Sequence, residues 1–574
     1  MCGLRTTFSG FAFARTSATP LEIFDNCEWP GDASAGAVPY CKNQTSLFYI
    51  ADPAQPKHFQ LKDWGWSAFN AFRKSLAALE VRKPTSFDIA YKAGYFAHKF
   101  KLHLAPNEKQ ASATPLLPGD LYTERMIVDY LRSLTQFIMD ELNIAIRKDF
   151  SMRDVQWCLT TVPAVWDERA KQRMKVFAEK AGMVKGVNCP KNSVPSPRAL
   201  HIILEPEAAS AYCQQQVQQN LKLKVGDRML IADVSGGTID VVVHEVLELR
   251  PSGCASKVKE VVASYGQIGG GTFVDALFFN LVSEKIGCFS EYCRNANPSL
   301  AVQLYSWWQG VKADFKGSEY SEEYSLINCG LSEAWKKHDW LRGVVREDEH
   351  YEQLLLTEED FCRILDPENV SILMVVGGFA ASPYLRKRVT TRFRDKVNEI
   401  IIPTLPGRAV CRGAVELHMK KNYVKSRISK VTYGTLCWRD AESDDPQHLV
   451  LRDDDGRLKC RDVFSVFVRA GEEVEIGNCV EKCFYPTTHY QKVMDLSLYS
   501  SPRTHPRYIH ELDCKKEGKF EMDMSEDMKL DKSREIKVKM MFGRALVSVS
   551  AVRCNFVTKE EKHGLAVTFH CSGP

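Results

Sequence analysis

Two acids flanking a glycine turn carry the sharpest chemistry in the chain. In Leu230-Ile231-Ala232-Asp233-Val234-Ser235-Gly236-Gly237-Thr238-Ile239-Asp240-Val241-Val242-Val243 an apolar run ends in Asp233, a Ser-Gly-Gly-Thr turn follows, and a second run opens at Asp240. The pattern predicts a hairpin with a carboxylate at each mouth. Gly236 and Gly237 let main-chain N–H groups approach phosphate oxygens with no Cβ in the way. Thr238 adds a hydroxyl donor. Paired acids such as Asp233 and Asp240 suit Mg²⁺, which keeps several waters and takes few direct protein ligands. The plain alternative is an ordinary hairpin closed by a glycine turn.

Two more glycine turns fit the same chemistry. Gly266-Gln267-Ile268-Gly269-Gly270-Gly271-Thr272-Phe273 follows a strand-like run and opens a helix from Val274. Met374-Val375-Val376-Gly377-Gly378-Phe379-Ala380-Ala381-Ser382-Pro383 again reads strand, turn, helix. Either alone is weak, because glycine is common in such loops. The chain holds no GxxxxGK[ST] and no GxGxxG, which disfavours a Walker loop and a dinucleotide fold. No HExxH and no Ser–His–Asp order occurs, so zinc-protease and triad chemistry are disfavoured as well.

The elements that must hold these loops read as alternating strand and helix. Strands are expected at Ser46–Ile50, Ser86–Ala90, Trp157–Val162, His201–Leu204, Arg228–Ala232, Asp240–Val246, Lys257–Ser264 and Asn369–Val376. Met126, Ile127, Tyr130, Leu131, Leu134, Phe137, Ile138, Leu142 and Ala145 recur at three and four, which makes Tyr122–Lys148 a helix with one buried face. Glu168–Ala181 is a helix capped by Gly182, and another opens at Pro206 and runs through Cys213. Beyond about residue 425 the texture changes. Val431–Trp438, Asp462–Arg469, Lys492–Tyr499, Gly518–Met524, Arg534–Met541 and Ala545–Val552 are strand-like, which suggests a β-sandwich. The basic run Lys420–Arg427 reads as a solvated linker.

Composition narrows the function classes. The 574 residues are 44% hydrophobic and 26% charged, so the chain is globular rather than disordered. Lys plus Arg is 76 against 72 for Asp plus Glu, a net +4 that gives no reason to expect nucleic acid as a partner. No apolar stretch is long enough to span a membrane. The segment Met1–Ala18 makes a poor secretory signal. Nineteen cysteines are scattered without a CxxC pair, which argues against structural zinc. Free thiols in a reducing, cytoplasmic compartment are expected.

Taken together the motifs resemble the actin-like ATPase superfamily, and within it the 70-kilodalton heat-shock protein (DnaK-like) family. Leu159–Ala164 looks like the family's strand before a helix, and Leu204-Glu205-Pro206-Glu207-Ala208-Ala209 like its connecting motif. Thr6-Thr7-Phe8-Ser9 resembles the first phosphate loop, Asp233–Asp240 the second, and Val375–Pro383 the adenosine loop. The nearest pattern is the divergent branch that includes the mammalian subfamily-12 members.

The resemblance implies a two-lobed, actin-like (ribonuclease-H-like) α/β nucleotide-binding domain over residues 1–425. Its lobes would be about 1–165 and 166–425, with chain exchange near the C-terminal end. A β-rich substrate-binding-like domain would follow over 430–574, without a helical lid. ATP or ADP and Mg²⁺ are the implied cofactors, and client peptides and co-chaperones the implied partners. Asp233 and Asp240 would hold the metal's waters, and Glu205 would lie near the attacking water. Thr6, Thr7, Gly236, Gly237, Thr238, Gly269 and Gly270 would contact phosphates, with Gly377 and Gly378 beside the nucleoside. Lys101 or Lys99 would reach the γ-phosphate. Lys312 looks like the adenine-ring lysine, with Gln309 in the place of a carboxylate.

The first loop departs from the family pattern. Gly3 stands where the family carries an aspartate, Arg5 where it carries a glycine, and Ser235 replaces a glycine in the second loop. Nucleotide binding is therefore expected, and hydrolysis is in question. The readings in play are a peptide-binding chaperone that closes on Mg-ATP, a nucleotide-sensing scaffold with little or no turnover, and a small-molecule kinase of the same superfamily.

Overall fold

The computed structural model describes residues 2–32, 41–79, 89–104, 117–146, 154–163, 166–183, 200–216, 223–315, 321–326, 330–344, 346–356, 374–394, 400–419, 423–525, 531–543, 545–554, 561–562 and 566–567. Among these residues it is a mixed α/β structure with several sheets.

Two sheets repeat one plan. In the first, Cys2–Gly3 pairs antiparallel with Phe8–Phe13 and parallel with Cys158–Val162, which runs parallel to His201–Leu204. In the second, Arg228–Val234 pairs antiparallel with Thr238–Leu249 and parallel with Met374–Val376. Each sheet thus begins with a tight hairpin and adds parallel strands on the hairpin's first strand. The strands of the second plan are apolar because both neighbours of Arg228–Val234 are paired and Ile231, Ala232 and Val234 are buried.

Helices cover the sheets. Thr123–Ile146 buries Met126, Ile127, Tyr130, Leu131, Leu134, Ile138 and Leu142 in the core around Leu4, Phe11 and Leu159. Each such burial contributes about 1.5–3 kcal/mol. Ala409–Met419 crosses Glu205–Gln216 at backbone contact, since a Cβ on Gly413 would come within 1.8 Å of the Ala208 carbonyl oxygen. Glu168–Lys180 is capped by the Asp167 side chain, which accepts from the Ala170 amide, and ends at Gly182 with φ 92°.

The C-terminal strands form two antiparallel sheets. One runs Val450–Arg452, Leu458–Val468, Thr432–Asp440, Val493–Ser501, Lys515–Asp523, and the other joins Cys479–Phe484, Ile536–Phe542 and Val547–Cys554. Alternate residues from both, among them Phe467, Leu496, Leu498, Ile536, Val538, Met540 and Val549, share one buried cluster. Ser426–Ile428 pairs with Glu473–Glu475, and Val424 bridges Val258 in parallel, so this stretch touches both the second sheet and the C-terminal strands.

Several expected elements differ. Of Ser86–Ala90, residues 86–88 lie outside the described residues, and Ile89–Ala93 is a π-helical turn rather than a strand. The strand there is Tyr95–His98, paired with Ser46–Ala51. Residues 369–373 of the strand expected at Asn369–Val376, Ala164, and residues 420–422 of the basic run also lie outside the described residues. Cys27 and Cys41 are joined in a disulfide, against the expectation of free thiols throughout, while Cys213, Cys254 and Cys460 are among those with free thiols.

Candidate functional site

The two hairpin turns meet. A Cβ on Gly236 would lie 2.2 Å from the Thr7 hydroxyl oxygen, and one on Gly237 would lie 2.6 Å from that of Thr6. Glycine is required at both positions because the threonines of the first turn rest on the backbone of the second. Asp233 and Asp240 face each other across the hairpin in register, so their side chains leave the same face of the sheet. Both are buried.

The second turn is tied down from within. The Ser235 amide and its hydroxyl both donate to the Thr238 carbonyl, each at 3.1 Å. Thr238 is buried, with its hydroxyl 3.4 Å from that of Ser235. The amides of Gly269, Gly271 and Thr272 donate to the carbonyls of Gly237, Ser235 and Gly236 respectively, at 3.2, 3.2 and 2.9 Å. Gly269, Gly271 and Thr272 therefore brace the second turn through its carbonyl side. Gly270 has φ 104°, and a Cβ there would lie 2.2 Å from the Ser235 carbonyl oxygen.

Gly377 closes the site from the parallel strand. Its φ is 100°, and a Cβ would meet the Val234 carbonyl oxygen at 2.2 Å and Asp233 Oδ1 at 2.5 Å. Its amide donates to the Pro406 carbonyl. Gly378 has an ordinary φ of −65° and starts the short 3-10 turn Phe379–Ala381 that leads into helix Pro383–Phe393.

At the centre lies Arg5. Its Nη2 is 2.6 Å from Asp233 Oδ2, its Nη1 is 3.2 Å from Asp233 Oδ1, and Nη2 is 3.7 Å from Glu205 Oε2. Glu205 opens helix Glu205–Gln216 directly after strand His201–Leu204, where the helix N-terminus favours a negative charge. Lys101 comes from the 3-10 turn Phe100–Leu104, donates to Glu205 Oε1 at 3.2 Å, and stands 5.2 Å over the Trp166 ring. Lys42 is buried beside them.

The charges explain the titration behaviour. Burial works against the Arg5 guanidinium, but Asp233 and Glu205 outweigh it and hold it charged. Burial would push Glu205 up, yet Lys101 and Arg5 hold it below the usual carboxylate range. Burial raises Asp233 against the pull of Arg5. Burial lowers Lys101 and, helped by repulsion from Arg5, brings Lys42 down to about 8.

The two candidate lysines part company. Lys101 reaches Glu205, whereas Lys99, at φ 57°, lies in the field of Asp275 and Lys312. Lys312 Nζ donates to Asp275 Oδ1 at 2.6 Å, as do Gln309 Nε2 at 3.0 Å and Trp308 Nε1 at 2.9 Å. Asp275 is thus the carboxylate on which Trp308, Gln309 and Lys312 converge, and nothing in its sequence surroundings singled it out. Lys42 was also missed, since it sits in no motif.

A magnesium ion does not fit this arrangement. Both Asp233 oxygens face a guanidinium, Gly3 offers no carboxylate, and the cluster of Asp233, Glu205 and Asp240 already holds Arg5, Lys101 and Lys42 in its field. A divalent cation would have to displace a bidentate charge-assisted pair in a buried setting.

The mixed α/β sheets with facing hairpin turns are consistent with an actin-like ATPase homologue. No family model matches the chain. It is 26% identical over 545 residues to the mouse protein named heat shock 70 kDa protein 12A, covering 80% of this chain and 78% of that one. It is 26% identical over 645 residues to human heat shock 70 kDa protein 12B, covering 95% and 88%. The chain is thus a homologue of the divergent subfamily-12 branch of the 70-kilodalton heat-shock proteins. Among the described residues no helix is long and apolar enough to cross a membrane.

Proposed function

We infer that this is a heat-shock-70-like nucleotide-binding protein that senses ATP or ADP with little or no hydrolysis. The observation that carries the reading is the meeting of Thr6 and Thr7 with Gly236 and Gly237 around Asp233 and Glu205. Two lobes, built on the two hairpin-led sheets, would separate slightly to admit phosphates between these turns. Phosphoryl transfer depends on positioning and on charge stabilisation, usually by a metal. Glu205 sits between Arg5 and Lys101 and is held ionised by them, which leaves it a weak base for activating water.

The lobe angle would reach the C-terminal sheets through the stretch around Val424–Ile428. Arg427 Nε donates to Glu207 Oε1 at 2.7 Å, two residues beyond Glu205. The C-terminal region, read as a β-sandwich, has a cavity of about 620 Å³ lined by Trp438, Phe484, Tyr485 and Leu496 together with the charged Asp453, Asp455, Lys459 and Lys532, a mixed lining that would take both apolar and charged side chains of a client peptide. Placement in the cytoplasm rests on buried free thiols such as Cys213, Cys254 and Cys460, with the Cys27–Cys41 disulfide pointing the other way.

Single-turnover hydrolysis tests the reading. A rate at the buffer background with retained ADP binding supports it. Burst release of phosphate above background restores the hydrolysing chaperone, and phosphate transfer to an added sugar or acid would favour a kinase.

A further inference from the structure

Resting on the nucleotide reading above, we propose that the Arg5 guanidinium occupies the place of the divalent cation, so that this chain binds nucleotide phosphates without metal. The geometry is specific. A guanidinium presents a planar fork of five N–H donors, and here two of them engage the two oxygens of Asp233 at 3.2 and 2.6 Å. Nη2 also lies 3.7 Å from Glu205 Oε2, and the proposal assigns the guanidinium's other N–H groups to an oxyanion entering between the hairpin turns.

Charge supports the same assignment. A metal in such a cleft offsets the negative charge of the phosphates and is itself tethered by carboxylates. Arg5 is tethered by Asp233 and Glu205, and it cannot be deprotonated in the working pH range. Lys101 on Glu205, and the buried Lys42 in the field of Arg5, add positive charge to the cluster. Gly3, two residues before Arg5, stands where the resemblance drawn from the sequence would put a further carboxylate. One ligand is missing and one cation is built in.

The test uses the full-length protein and a fluorescent ADP, titrated in excess EDTA and in excess MgCl₂, with Mn²⁺ alone followed by electron paramagnetic resonance. Wild type is expected to bind ADP within about twofold in the two buffers and to hold no Mn²⁺ in the absence of nucleotide. Arg5→Gly should lose about tenfold in EDTA. The pair Gly3→Asp with Arg5→Gly should bind Mn²⁺ and gain a magnesium dependence of about tenfold. A wild type that weakens about tenfold in EDTA, or that takes up Mn²⁺ by itself, overturns the proposal. Wild type that binds in neither buffer while the double variant binds in MgCl₂ also overturns it, because Arg5 then blocks the site, but the nucleotide reading survives. No binding by either protein overturns both. The two wild-type titrations decide the matter even if the variants do not fold.

Discussion

Arg5 and Asp233, 228 residues apart in the chain, form a buried bidentate ion pair with a shortest N···O distance of 2.6 Å. It joins the turn of one hairpin-led sheet to the last buried strand residues of the other. Both partners are nearly inaccessible, with side-chain exposures of 6% and 0%.

Breaking that pair from one side should be expensive. Asp233→Asn leaves a guanidinium in the interior with Glu205 as its remaining charged partner at 3.7 Å. Stability should fall by about 3–5 kcal/mol, read as a lower urea midpoint at unchanged m-value. Arg5→Met combined with Asp233→Leu should recover most of that loss, because an apolar pair needs no charge compensation.

Glycine at 377 is fixed by contact as well as by φ. Gly377→Ala would place a Cβ 2.2 Å from the Val234 carbonyl oxygen at φ 100°, so it should yield insoluble protein or lose several kcal/mol. Gly226 has φ 90° but nothing within 4 Å of a Cβ, so Gly226→Ala should lose only about 1 kcal/mol. Soluble yield and thermal unfolding of the two variants, side by side, separate crowding from backbone preference.

Lys42 gives the site a pH signature. Burial first, and Arg5 second, bring it down from 10.5 to about 8. Below about 8 the ammonium is protonated in both folded and unfolded chains, and the cost of burying it is constant. Between about 8 and 10.5 the unfolded chain binds the extra proton, so stability rises with pH across that window. The rise attributable to Lys42 should be on the order of a few kcal/mol. Unfolding midpoints from pH 7.5 to 10 should climb more steeply in wild type than in Lys42→Met. Parallel profiles would mean that Lys42 is not buried as a cation.

The connection to the C-terminal sheets should loosen at Arg427. Its Nε donates to Glu207 at 2.7 Å while the Lys425 amide donates to the Val258 carbonyl at 2.8 Å. Arg427→Ala removes the first tie and keeps the second. Limited trypsin digestion should then cut near Lys425 several-fold faster than in wild type, with the C-terminal fragment still resistant. Equal cutting rates would show that the backbone tie alone holds this stretch.

Much of the frame was legible because the relevant signals are local. The Asp233–Asp240 register follows from two apolar runs around a glycine turn, and the helix Thr123–Ile146 follows from its three-and-four spacing. Ser86–Ala90 misled because Phe87 and Ile89 alternate and read as strand by type, while the described part is a π-helical turn and the true strand is the short Tyr95–His98. What sequence hides is long-range pairing. No local pattern tells that Arg5 points at Asp233, that Asp275 receives Lys312, or that Cys27 reaches Cys41. The glycines at 236 and 237 were readable as a turn, but their contact with Thr6 and Thr7 depends on two sheets meeting.

The central claim is that a nucleotide lodges between the Thr6–Thr7 turn and the Gly236–Gly237 turn. Hydrogen–deuterium exchange of the full chain, with and without millimolar ATP, addresses it directly. The account predicts slowed exchange in peptides covering residues 4–10 and 234–240 together. Unchanged exchange in both, or protection confined to segments away from these turns, would contradict it.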